Sequence, residues 1–429
     1  MSKQKLKIIH TADWHLGHHL HGYDRSAEHQ AFLDWLLETL IAEQADALLV
    51  SGDLFDSANP PAAAWQMLYR FLAEVTRRLP ALNVVMVGGN HDSPSKLDAP
   101  HELLRAFNLH LIGAVSRDSH GQLDCERLLV PLYDRAQQLQ GWVLAVPFLR
   151  SADLRTPARD VEPEPEHEAS EQEEDRLISG VREIYRQVTQ AALAKVGAGQ
   201  VPLLAMGHAY MSAGQLSEMS ERRVLGGNQH ALPVDIFSPQ LSYVALGHLH
   251  LAQRVGGQEH IRYSGSPLPL SLAEHEYRHQ VLRCEFEGAA LSSVTALPVP
   301  RYCDMLRLPA RPADLDTVLA QLRALDLPPV ELARRPYLDV QLLLDKPQAL
   351  IREKVLAALE DKPVRLAKIS VSYPPRSQAQ GAPLPRLAEL TPEQAFRLCY
   401  QRRFDGEPAP QLQQLFSELV QQVDEEELP

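Results

Sequence analysis

Five apolar runs in the first 250 residues each stop short, most of them at a glycine, and then present a metal-type side chain. Leu48-Leu49-Val50 breaks at Gly52 and delivers Asp53. Leu6 to His10 runs into Asp13-Trp14-His15, and Val84 to Val87 runs into Gly88-Gly89-Asn90-His91-Asp92. Leu203 to Met206 ends at Gly207-His208, and Tyr243 to Leu246 ends at Gly247-His248-Leu249-His250. Short β-prone runs of this kind predict buried strands that carry charged groups at their C-terminal mouths. Between them, Phe32, Leu33, Leu36, Leu37 and Leu40 form one helical stripe over Glu28 to Ala42. Trp65, Leu68, Tyr69, Leu72, Val75 and Leu79 form another over Pro60 to Leu79, and a third helix is expected near Leu97 to Phe107.

Strands and amphipathic helices alternate as far as about Pro300, which predicts a layered α/β core. Gln280 to Phe286 and Ala290 to Leu297, joined by Glu287-Gly288-Ala289, read as a hairpin that closes it. The rhythm then changes. Met305 to Leu308, Ala313 to Leu325, Tyr337 to Leu344, Gln348 to Leu359 and Val364 to Tyr373 spell a small βαβαβ module. A Pro-, Gly-, Ser- and Gln-rich stretch marks a linker, and two short helices follow from Thr391-Pro392-Glu393, separated by a break over Phe404 to Pro410. The expected organisation is a core domain over 1–300, a module over 301–375, a linker over 376–390 and a helix-loop-helix over 391–423.

Composition changes this picture little. The net charge of −13 is wrong for a polyanion-binding surface taken at face value. Nine acidic residues lie between Asp160 and Asp175 and four more between Asp424 and Glu427, so two segments account for the whole excess. Arg155 to Arg176, with Pro157, Pro163 and Pro165, reads as a disordered surface insertion, and Leu177 to Val196 as the helix that follows. Cys125, Cys284, Cys303 and Cys399 are scattered without metal or redox spacing. The N-terminus enters a strand with no apolar leader, and no run of about 18 apolar residues follows, so a cytoplasmic protein without a membrane segment is expected.

The chemistry lies in the strand ends. One Gly-Asp or Gly-His alone is ordinarily a turn, whereas five such ends in one α/β core would crowd carboxylates and imidazoles at a cost that a cation removes. Asp, His and Asn without thiolate suit manganese, iron or zinc in an open site. A carboxylate such as Asp53 has two oxygens and can be shared by two ions, as in phosphoester-cleaving sites.

Asp-x-His, Gly-Asp-x-x-Asp, Gly-Asn-His-Asp, Gly-His and Gly-His-x-His, in that order, resemble the calcineurin-like metallophosphoesterase superfamily. Glu28 to Leu36, Ala245 to His250 and Tyr263-Ser264-Gly265-Ser266-Pro267 are similar to the SbcD family of bacterial nuclease subunits, over nearly the whole chain. The resemblance implies a β-sandwich flanked by helices, a capping domain over the cleft, and two divalent metal ions, manganese above all. It implies a first metal held by Asp13, His15, Asp53 and His250 and a second by Asp53, Asn90, His208 and His248. His91, outside that set, would stabilise the transition state or protonate the leaving alkoxide, with Asp56 as its hydrogen-bond partner and Asp92 as a rival. Relatives outside the bacteria often carry a histidine at the position of Asp56.

The same resemblance implies a DNA nuclease, exonuclease on double-stranded ends and endonuclease on single strands and hairpins. Its partners would be DNA, the ATPase SbcC on the C-terminal helices, and a second copy of the chain through Trp65, Tyr69 and Phe107. No Gly-x-x-x-x-Gly-Lys-Ser/Thr occurs, so ATP would be handled by the partner. Arg25 and Lys96 are weaker candidates for phosphate contact, and His18, His19 and His21 read as a solvated loop. A phosphodiesterase of small esters or cyclic nucleotides is the alternative enzyme, and a DNA-end-bridging scaffold the alternative outside enzymes.

Overall fold

The computed structural model describes residues 5–154, 169–196, 201–212, 214, 231–374, 390–404 and 406–426. They form two compact units, Met1–Tyr302 and Cys303–Pro429.

The first unit is built on two six-stranded sheets. One runs in the order Ala290–Pro298, Gln280–Glu287, Lys5–Thr11, Ala47–Ser51, Asn83–Val87, Leu109–Ile112. The other runs Gln253–Val255, Gln258–Tyr263, Tyr243–Gly247, Leu203–His208, Leu139–Ala145, Leu129–Tyr133. Lys5–Thr11, Ala47–Ser51 and Asn83–Val87 pair in parallel, as do Leu203–His208 and Tyr243–Gly247. All five strands that the sequence marks are therefore parallel members of a sheet.

Period-two alternation explains the layering. Leu49, Val85 and Val87 point into the core between the sheets with Leu204, Met206 and Tyr243. Their neighbours Leu48, Val50, Val84 and Met86 point the other way, under the helices Ser26–Ala42 and Ala62–Arg78, where Phe32, Leu36, Leu68 and Phe71 meet them. A strand covered on both faces admits a polar side chain before its end only where a buried partner awaits it. The ends are thus the first positions where carboxylates and imidazoles can gather.

The two sheets are tied together just beneath that edge. His10, fully buried, accepts from the Tyr243 hydroxyl at Nδ1 (2.9 Å) and donates from Nε2 to the Leu246 carbonyl (3.2 Å), while Ser51 Oγ donates to the Ala245 carbonyl at 2.9 Å.

Two local expectations are corrected. The helix expected near 97–107 is two short helices, Pro94–Asp98 and His101–Arg105, because Pro100 has no amide hydrogen to carry the ladder through. The helix expected from Leu177 begins at Ala169, so the end of the acidic stretch is helical, at the N-terminus where the helix dipole favours negative charge. The remainder of that stretch, and nearly all of the expected linker, lie outside the described residues.

The second unit carries a parallel three-stranded sheet, Met305–Ala313, Tyr337–Leu343 and Arg365–Ser372. Helices Leu315–Ala324 and Ile351–Ala358 close its core over Leu338, Val340 and Leu342. Helices Pro392–Arg403 and Pro410–Glu426 follow, the former opened by a Thr391–Gln394 capping box, and Phe396 and Phe416 stack between them at 4.3 Å. Among the described residues no helix is long and apolar enough to cross a membrane.

Candidate metal centre

Past the strand Lys5–Thr11 the backbone keeps pairing with the loop after Ala47–Ser51: Asp13 N donates to Gly52 O, His15 N to Asp53 O and Leu16 N to Leu54 O. This short ladder aligns Asp13 and His15 beside Asp53. Asp13, His15, Asp53 and His248 all adopt positive φ, at 56°, 47°, 50° and 104°, a region that costs a residue with a side chain about 1–3 kcal/mol. Four such positions among seven candidate ligands mark backbone held for the site and against local preference.

Two glycines allow the strand ends to approach. A Cβ on Gly89 would lie 2.1 Å from Asp53 Oδ1, and one on Gly52 would lie 2.2 Å from His208 Nδ1. Side chains there are excluded by the ligands themselves.

The seven predicted ligands do converge. Asp13, His15 and His250 form one buried group, and Asp13, Asp53 and His208 another. His208 Nε2 lies 2.9 Å and His248 Nδ1 3.1 Å from Asn90 Oδ1, so Asn90 and His248 complete the second half. Asp53 Oδ2 stands 3.5 Å from His15 Nε2 and 3.4 Å from His208 Nε2, between the two halves, while its Oδ1 accepts from the His91 amide at 2.9 Å.

The donor set fits a pair of divalent cations. A carbonyl oxygen only accepts, so the contact of His208 Nδ1 with Ser51 O (2.9 Å) places a ring hydrogen on Nδ1 and turns Nε2 toward Asp53 and Asn90, the side from which it would meet a cation. The Asp56 carboxylate 3.3 Å from His15 Nδ1, and the Glu274 carboxylate 3.1 Å from His250 Nδ1, set the same tautomer in those rings. His15 Nε2 is buried and makes no hydrogen bond. Burial opposes protonation of His208, yet the Asp53 and Asp13 carboxylates raise it to about 9, a measure of how strongly the pocket draws positive charge. Burial likewise works against ionisation of Asp53, and the facing His208 and His15 pull it well below the usual carboxylate range.

His91 lies at the rim, its ring 4.9 Å from that of His15 and edge to face with it. Its Nδ1 meets the backbone carbonyl of Asp56 at 2.8 Å. The expected pairing with the Asp56 carboxylate is corrected, because that carboxylate is turned to His15, which outweighs burial and brings it down to about 2. Asp92 is not the partner either. It is buried and accepts from the Leu54, Phe55 and Gly89 amides, binding the two loops together.

Other candidates fall away from the site. Arg25 is fully buried, donating to Glu28 Oε2 (2.7 Å) and to the Pro269 carbonyl (2.6 Å), which takes it from any phosphate. His18 is not a solvated histidine: burial and the neighbouring Arg25 hold it neutral, at about 3, whereas His19 and His21 are exposed. Lys96, at the surface, donates to Ala58 O and Asn59 Oδ1. Sequence reasoning missed Glu274, whose only signal is an acid among leucines, and Arg150, which donates to the Gly89 and Asp92 carbonyls from outside the loop.

Residues 6–252 match the Calcineurin-like phosphoesterase family, and residues 301–404 match the Type 5 capsule protein repressor C-terminal domain. The chain is 42% identical over 396 residues to a Rhodobacter capsulatus protein named as the SbcD subunit of the nuclease SbcCD, covering 92% of this chain and 94% of that one. It is 31% identical over 416 residues to the Escherichia coli protein of the same name, covering 96% and 97%. A buried cluster of Asp and His that fits two cations, on a layered α/β core matched along nearly the whole chain by these relatives, places the chain in the SbcD family of calcineurin-like phosphoesterases.

Proposed function

We propose that the chain is the manganese-dependent nuclease subunit of a complex that processes DNA ends and hairpins in repair and recombination, acting in the cytoplasm. It would digest double-stranded ends as an exonuclease and cut single strands and hairpins as an endonuclease. The observation that carries the reading is Asp53, whose one oxygen faces a ligand of each half-site while the other anchors the His91 amide.

Divalent cations held by these side chains supply Lewis acidity and charge neutralisation to a phosphodiester. The residues supply orientation and a proton. With its Nδ1 hydrogen held by the Asp56 carbonyl, His91 has Nε2 left for the substrate, where imidazolium can protonate a leaving alkoxide or hydrogen-bond a phosphoryl oxygen.

The name that the relatives carry, as members of an SbcCD nuclease, supports SbcC as the ATPase partner, and the missing phosphate-binding loop agrees with it. Leu415, Leu419 and Val423 are exposed on one stripe of the helix Pro410–Glu426 and suit docking of that partner. Tyr69 and Phe107, 40% and 49% exposed, are apolar enough to serve a homodimer contact within a heterotetramer. Trp65 is half-buried, packed between Phe55 and Tyr69, and supports Tyr69 from below.

The test combines the purified chain, SbcC, manganese, ATP and end-labelled hairpin DNA. Wild type cuts, and His91→Leu falls by about 10²- to 10⁴-fold. Equal cutting by the two proteins overturns the proposal, and hydrolysis of a small diester with none of the hairpin transfers it to the small-ester reading.

A further inference from the structure

The two halves of the centre are built differently behind their ligands. In the first, both histidines carry a carboxylate on the nitrogen that faces away: Asp56 Oδ1 is 3.3 Å from His15 Nδ1, and Glu274 Oε1 is 3.1 Å from His250 Nδ1. In the second, His208 has a neutral backbone carbonyl in that place, Ser51 O at 2.9 Å, and His248 is turned the other way round, with Nδ1 toward Asn90. Counting the carboxylates behind the ligands gives the same asymmetry. Asp56 and Glu274 stand behind the first half, the second has the neutral amide of Asn90, and Asp13 and Asp53 lie against ligands of both.

Glu274 is held for this role. It is wholly buried, at the end of the short turn Leu272–Glu274, and its other oxygen accepts from the Leu270 amide at 2.9 Å, so the carboxylate cannot rotate away from His250. Arg25, buried in turn, holds the same segment through the Pro269 carbonyl at 2.6 Å. A rigid carboxylate on the outer nitrogen fixes an imidazole ligand in its metal-binding tautomer and makes it more basic, and loss of such a partner commonly weakens metal affinity 10- to 100-fold.

We propose that Glu274 is a positioning residue for His250 that makes the half-site of Asp13, His15 and His250 the tighter of the two, so that this half fills first and the half of Asn90, His208 and His248 fills last. The inference rests on the reading of the site as a two-cation centre.

The test is titration of the metal-free full chain with Mn²⁺, by calorimetry and by electron paramagnetic resonance, for wild type and Glu274→Gln, which keeps an oxygen for the Leu270 amide. Wild type shows two classes of site, with an isolated-ion spectrum at one equivalent and a coupled pair at two. Glu274→Gln weakens the tight class 10- to 100-fold and leaves the weaker class in place. The melting temperature of the metal-free variant, matched to wild type, separates this from a folding defect, and Glu274→Asp serves as the variant if Gln fails to fold. Two equal sites in wild type, or a tight class unmoved by Glu274→Gln, overturn the inference while leaving the two-cation reading standing. Fewer than two ions bound at saturation overturns that reading itself.

Discussion

His91 Nδ1 lies 2.8 Å from the backbone carbonyl oxygen of Asp56, while the carboxylate of the same residue lies 3.3 Å from His15 Nδ1. One residue thus contacts His91 through its main chain and His15 through its side chain. The two contacts separate by mutation, since a side-chain change leaves the carbonyl in place. Asp56→Asn is expected to raise the manganese concentration needed for half-maximal cutting by about 10-fold or more and to recover most of its rate at high manganese. His91→Leu is expected to keep the manganese dependence of wild type and lose about 10²- to 10⁴-fold in kcat at every concentration. Rate against manganese for the two variants checks both.

Gly89 and Gly22 make a controlled pair. A Cβ at Gly89 would come within 2.1 Å of Asp53 Oδ1, whereas Gly22, at φ +84°, has nothing within 4 Å of its Cβ direction. Gly89→Ala must move the Asp53 carboxylate or its own loop, and is expected to abolish cutting and to cost about 1–3 kcal/mol of stability, as other overpacked sites do. Gly22→Ala carries only backbone strain and should retain full activity. Hairpin cleavage and thermal melting of both variants decide this, and an active Gly89→Ala would show that the loop yields easily.

Much of this was legible in the sequence because it rests on strand ends. A run such as Leu48-Leu49-Val50 must be buried on both faces; it ends at Asp53, its parallel neighbour Asn83–Val87 ends at Asn90, and Leu203–His208 brings His208 to the same place from the other sheet. The strands Leu129–Tyr133 and Leu139–Ala145 escaped the reading because Pro131, Gln138 and Gln140 interrupt their apolar pattern; they pair antiparallel at the sheet edge, where such residues are tolerated. What stands behind the ligands was not legible either. Glu274 lies 24 residues beyond His250 on a turn with no periodicity, and Arg25 looked like a surface cation until Glu28 and Pro269 enclosed it. Asp56 lies against His15 and His91, but no spacing shows which of its oxygens faces which histidine.

Stability should fall on mild acidification, for reasons independent of the ligands. Burial holds His10 down at about 3, His110 at about 4 and His29 well below its ordinary value of 6.5. All three stay neutral in the fold while the unfolded chain takes up protons below 6.5, so unfolding is favoured as pH falls from 6.5 toward 4 and unaffected by them above it. Each contributes a slope approaching about 1.4 kcal/mol per pH unit. All four tryptophans lie within Met1–Tyr302, so urea unfolding followed by their fluorescence reports on this unit. His110→Gln should make the acid slope shallower by one proton, and an unchanged slope would place the protonation elsewhere.

Cation binding should in turn stabilise the first unit. Asp13, His15, Asp53 and His248 hold positive φ and bring carboxylates and imidazoles into one buried cluster, an arrangement that the unfolded chain does not have. A ligand that binds only the folded form adds about 2.7 kcal/mol at a free concentration 100 times its Kd. Manganese added to chelator-treated protein is therefore expected to raise the fluorescence-detected melting temperature in a concentration-dependent way, and chelator to reverse it. His250→Ala removes a ligand of the half-site argued to be tighter and should lose most of that rise, whereas His248→Ala should keep the larger part. A melting temperature indifferent to manganese in wild type would mean that the cluster is held by its hydrogen bonds alone, without help from a cation.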